Sequence, residues 1–196
     1  MKKIKVLLIV LLVFGLFSIL ILPENLQAAV TGPVFGGRLI DGVYYQNYYI
    51  APSAGGYSDK INVAMSEWNN STGAPWVWTP IWITQTGNPN HSRIDFHAEY
   101  NYDIGYTSVY TRMYLNYVGM AWPWNSNYNW SEIYINNAWI PRYSWTVQKG
   151  VMAHEVGHAF GMAHTAYYYS IMCQNTDAMR VFIPQEIDLN TVNAIY

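Results

Sequence analysis

The spacing of apolar positions changes along the chain. Over residues 57–70, Ile61, Ala64, Met65 and Trp68 recur at three and four residues, which predicts a helix with Ser58 as its cap. Asn69-Asn70-Ser71-Thr72-Gly73 ends it. Residues 75–84, rich in Trp and Ile, predict a strand. Over 93–100 the period falls to two: Ile94, Phe96 and Ala98 alternate with Arg93, Asp95, His97 and Glu99. Further strands are expected over 108–115, 117–122 and 132–136. A long helix is expected over 145–160 and a last one over 185–196. Thr31 to Gly37, rich in Gly and Pro, reads as an N-terminal arm. This order predicts an α+β domain. Its twisted, mixed sheet is packed by an N-terminal helix, a long middle helix and a C-terminal helix.

The long helix carries the chemistry. Residues 154–164 read His-Glu-Val-Gly-His-Ala-Phe-Gly-Met-Ala-His. His154 and His158, four apart, share one helix face. Gly161 allows a left-handed turn that can return His164 to the same point. Three protein ligands leave a fourth position for water, the arrangement of a catalytic zinc rather than a structural one. Glu155 is placed to reach that water without being a ligand.

This run resembles the zinc motif of the metzincin endopeptidases, His-Glu-x-x-His-x-x-Gly-x-x-His followed by a Met-turn. His154, Glu155, His158, Gly161 and His164 occupy all its fixed positions. Met172, in Tyr-Ser-Ile-Met-Cys, matches the Met-turn, and its short distance from His164 looks like the matrixin branch. The end of the chain, from Pro184, is similar to the last matrixin helix. Asp188 falls where such proteins carry an Asp that supports the turn, although Ile187 replaces the acidic residue usual beside it. The resemblance implies a zincin-like fold, one catalytic zinc and Glu155 as general base. Met172 would be an apolar floor beneath the metal. Tyr167, Tyr168, Tyr169 and Cys173 would wall the primed-side pocket, and a substrate strand would pair within residues 119–122. Gln174 stands where astacins carry a tyrosine that reaches the metal. The resemblance leaves calcium open; Asp41, Asp59, Asp103 and Asp177 stand singly, in no recognisable calcium loop. His91 and His97, with Asp95, fall one His short of the matrixin structural zinc.

Residues 1–29 read as a secretory signal, with Lys2, Lys3 and Lys5 before an apolar run and Gln27-Ala28-Ala29 at its end. An uncleaved membrane anchor is the alternative. Residues 30–196 then form a single extracellular domain, expected to be monomeric. The leader removes three Lys and Glu24, so 10 basic residues become 7 and 12 acidic ones 11, net −4. That balance offers no patch for nucleic acid and no polybasic segment for anionic lipid. Cys173 is the sole cysteine, so no intrachain disulfide forms. Aromatic residues make up 17% of the chain, and Trp122, Trp124, Tyr128 and Trp130 cluster before the strand at 132–136. Two functions follow. One is a secreted zinc endopeptidase acting on protein or peptide. The other is a non-catalytic extracellular domain, with structural zinc, that binds glycan or cell wall through exposed aromatic rings.

Overall fold

The computed structural model describes residues 29–105, 107–115, 119–174 and 181–196. The expected leader lies outside them apart from Ala29, as does Asp177. Six strands are present: β1 (Tyr44–Ile50), β2 (Trp82–Thr86), β3 (Ile94–Glu99), β4 (Val109–Leu115), β5 (Gly119–Met120) and β6 (Trp130–Asn136). They form one sheet in the order β2-β1-β3-β6-β4-β5. The pairs from β2 through to β6 are parallel, while β4 runs antiparallel to both β6 and β5. The expected mixed sheet is therefore present, and the antiparallel strands lie on one side of it.

Three α-helices pack the sheet: α1 (Ser58–Asn69), α2 (Trp145–Ala159) and α3 (Glu186–Ile195). In α1 the buried residues are Ile61, Ala64, Met65 and Trp68, the four that set its period. In α2 every residue from Lys149 to Ala159 is buried. Such a helix has no polar face because it is covered on all sides. On one side Trp68 donates its indole N–H to the Ala153 carbonyl at 3.0 Å and meets Phe160 edge-on. Truncating Trp68 to Ala would cost about 3–5 kcal/mol. On the sheet, Ile94, Phe96, Ile133 and Ile135 complete the core with no exposed surface.

Two local expectations are corrected and one strand is added. The strand expected over 75–84 begins only at Trp82; Pro75 and Pro80 lack amide protons, and Trp76 and Trp78 point into solvent. Ser58 is the first residue of α1 rather than its cap, and its hydroxyl bonds to the Gly55 carbonyl. The strand β1 is an addition. Only Tyr48 in it is buried, and Tyr45, at φ 55°, breaks its register with β2. Its pairing with β2 and β3 makes it a strand, which no periodicity announces. No helix among the described residues is long and apolar enough to cross a membrane.

The N-terminal arm is laced into the domain. Phe35 N–H donates to the Gly161 carbonyl at 2.9 Å, Gly37 N–H to Pro123 at 2.7 Å, and the Pro33 carbonyl accepts from Ala163 at 3.0 Å. It joins the turn after α2 to the loop before β6.

Candidate metal centre

Helix α2 starts where Ser144 caps it, its hydroxyl accepting from Val147 N–H at 3.4 Å. It ends at Ala159, and two residues on Gly161, whose φ of +96° is left-handed and open to glycine, turns the chain. Met162 N–H closes the turn onto the Gly157 carbonyl at 3.0 Å. The chain then reverses and brings His164 back beside α2.

The three imidazoles meet through their Nε2 atoms. His164 Nε2 lies 3.0 Å from His158 Nε2 and 3.2 Å from His154 Nε2. Behind the ring, His154 Nδ1 is 2.7 Å from the Ile171 carbonyl and His158 Nδ1 is 2.9 Å from the Met162 carbonyl. A carbonyl oxygen only accepts, so both Nδ1 atoms carry the proton and both Nε2 lone pairs face the common centre. Burial pushes His154 down to about 4 and His158 well below its ordinary value; His164 is lowered for the same reason. All three are thus neutral at pH 7, the form a metal requires. Nitrogens set tetrahedrally about 2.0–2.1 Å from zinc would be about 3.3 Å apart, close to what is seen. The donor set fits zinc. Among the described residues this triad is the single group of three or more His, Cys, Asp or Glu placed to share an ion.

Glu155 is 7% exposed, and burial raises its carboxyl to about 8. Thr111 on β4 opposes that rise by placing its hydroxyl 2.6 Å from Glu155 Oε2. Both residues line a cleft of about 990 Å³ that also exposes the His triad.

The other expected residues divide. Met172 lies under α2, fully buried, and Cys173 beside it lines the cleft. Asp188 accepts from Ser170 Oγ and from Ile171 N–H, just ahead of Met172, so the turn is held despite Ile187. Tyr167, Tyr168 and Tyr169 are about half exposed and stand outside the cleft lining. Of the aromatic cluster, Trp122 and Trp124 line the cleft. Tyr128 is core, its hydroxyl donating to the Ala159 carbonyl at 3.1 Å, and Trp130 donates to Asp95 at 3.0 Å. His91 is exposed, whereas His97 faces Glu132 at 3.7 Å.

Three contributions are new. Thr111 is one. Phe35 of the arm is another: it enters the cleft, stacks on His158 at 5.7 Å and meets Trp124 edge-on at 5.0 Å. The third is the edge of β4. Asn136 N–H bonds to the Ser108 carbonyl, and Ala121 N–H to the Met113 carbonyl. In an antiparallel strand this alternation turns the even residues toward β6 and the odd ones away. The backbone groups of Val109 and Thr111 therefore face the cleft, whereas β5 is a two-residue strand paired at Tyr114 and Leu115.

Comparison with known proteins identifies the family. A reprolysin-type family model, described as metallo-peptidase family M12, matches residues 59–183. The chain belongs to this metallopeptidase family. The matrixin-like branch rests on the sequence resemblance alone. Among solved structures, that of myroilysin is similar at 18% identity and a TM-score of 0.37, over 65% of this chain and 55% of that one. The chain thus spans about half the length of that relative. No curated protein matches.

Proposed function

We propose that the chain is a secreted zinc-dependent endopeptidase with Glu155 as its general base. The observation that carries this reading is the meeting of three neutral Nε2 donors at the floor of an open cleft, beside a buried carboxyl. His154, His158 and His164 would hold the ion. Zinc bound there would supply a Lewis acid, polarising a carbonyl oxygen and making water more acidic.

The chain's own groups supply the rest. An extended peptide pairs with the outward backbone groups of Val109 and Thr111 on β4, by main-chain hydrogen bonds. This moves the expected docking edge from residues 119–122 to the neighbouring strand. Phe35, Trp122 and Trp124 offer an apolar wall on one side, and Cys173 lines the cleft near the Met-turn. Glu155 takes the proton of the attacking water and passes it to the leaving amine nitrogen. Secretion follows from the signal-like residues 1–29.

The test is hydrolysis of an unfolded protein by the zinc-loaded chain, with Glu155→Ala alongside. The variant is expected to keep its zinc and to lose at least ~100-fold in turnover, the low end for a general base. Equal turnover would remove Glu155 from the mechanism. If the folded, zinc-bound parent cuts nothing yet binds glycan through Trp122 and Trp124, the non-catalytic reading replaces this one.

A further inference from the structure

Thr111 occupies the middle of β4. Its Oγ1 lies 2.6 Å from Glu155 Oε2 and 3.2 Å from the Glu155 carbonyl oxygen. One hydroxyl has one proton to give, and the shorter contact is to the carboxyl oxygen; a cation held by the His triad would oppose the burial that raises Glu155 and favour its ionised, accepting form. No other hydrogen bond reaches the Glu155 carboxylate among the described residues. Without it the carboxylate would be free to turn about its last torsion, which has broad minima.

We propose that Thr111 is a positioning residue for Glu155: by donating to Oε2 it leaves Oε1 to receive the proton of the attacking water. The inference rests on the peptidase reading. In the step, the water O–H bond breaks as an Oε1–H bond forms. That proton later passes to the amine nitrogen as the peptide C–N bond breaks. Thr111 keeps its own proton throughout. The same residue presents its backbone to the cleft, so the strand that would dock substrate also orients the base. The two roles separate cleanly, because docking uses the main chain and orientation uses the hydroxyl.

The test compares the full zinc-loaded chain with Thr111→Val and Thr111→Ser on a fluorogenic peptide. A second readout is the Glu155 carboxyl 13C resonance in the zinc-loaded protein at fixed pH. Val has nearly the shape of Thr and favours strands, so the fold is retained; Thr111→Ala serves as a second hydroxyl-free variant. Thr111→Val is expected to lower kcat about 10-fold or more with KM within about two-fold, the pattern for an interaction that matters in the chemical step. Thr111→Ser should restore kcat to within about three-fold, since its hydroxyl can make the same bond. The carboxyl resonance should move in Val and Ala and stay in Ser. An unchanged kcat, a rise in KM alone, or a carboxyl resonance unmoved in Val and Ala would each overturn the proposal. A zinc-bound parent that cuts nothing would overturn the peptidase reading, while the resonance would still decide whether Thr111 holds Glu155.

Discussion

Asp188 Oδ2 accepts the amide proton of Ile171 at 2.9 Å, and the Ile171 carbonyl takes the Nδ1 proton of His154 at 2.7 Å. A carboxylate on α3 thus reaches a candidate metal ligand through a single residue, Ile171. It is 1% exposed and also accepts from Gln185 N–H at 2.8 Å and from Ser170 Oγ. Asp188→Ala should weaken zinc binding about 10-fold or more, the lower end for outer partners of a ligand. It should also cost about 2–3 kcal/mol of stability, because the Ile171 amide is left buried and unpaired. Chelator competition and denaturant midpoints read the two effects. Unaltered zinc affinity would mean that the turn holds His154 by itself.

Gly157 stands inside the motif, at a position the metzincin pattern leaves open. A Cβ there would lie 2.3 Å from Met172 Sδ, with Trp68 close behind. Replacing a helical Gly by Ala ordinarily stabilises by about 0.5–1 kcal/mol. Here Gly157→Ala should instead destabilise by about 1–3 kcal/mol through overpacking. Adding Met172→Ala should remove that penalty, so the two changes should be strongly non-additive in thermal unfolding. Additive effects would show that Met172 and helix α2 are not in the contact described.

Periodicity carried α1 and the central strands, because each presents one apolar face to one core, whereas α2, covered on all sides, was legible through its His-Glu motif. It was silent where pairing or coverage decides the structure. In β1, tyrosine, glutamine and asparagine are held by neighbours on both sides. The motif itself announced His154, Glu155, His158 and His164. Thr111 and Phe35 could not be read as parts of the site, since nothing local to them records what lies across the fold. Val109, Thr111 and Met113, two apart on β4, share one of its faces. Only the packing of β4 on α2 turns that face toward Glu155. Tyr128, grouped with its neighbouring rings by sequence, proves to be core because it lies beneath the helix end at Ala159.

Lys149 is buried in α2 and donates to both carboxylate oxygens of Glu67 on α1, at 2.7 and 2.8 Å, as well as to the Phe182 carbonyl. Burial raises the Glu67 carboxyl while the ammonium partly offsets the rise. Removing one partner leaves a charge without its counterion in a dry setting. Glu67→Ala should therefore cost about 3–5 kcal/mol. Replacing the pair together, Glu67→Leu with Lys149→Met, should recover most of that loss, since the desolvation cost goes with the charges. A double variant as unstable as the single one would show that packing, not charge, governs the contact.

The metal-free protein should carry an acid sensitivity located at His154. Its folded value of about 4 lies below the ordinary 6.5, so the unfolded chain binds the proton more readily. A depressed folded value gives stability that is present above pH 6.5 and is lost as pH falls from there toward 4. The full difference corresponds to about 3 kcal/mol as an order of magnitude. His158 is shifted in the same direction and adds to the effect. Glu67, Glu155 and Asp188 are raised by burial and pull the opposite way, since acid neutralises them in the fold. The histidine contribution is therefore read as a difference. The stability of the metal-free parent relative to His154→Leu, measured in denaturant from pH 7 to pH 4.5, should shift against the parent as the pH falls. A difference constant over that range would show that His154 is not held neutral by burial.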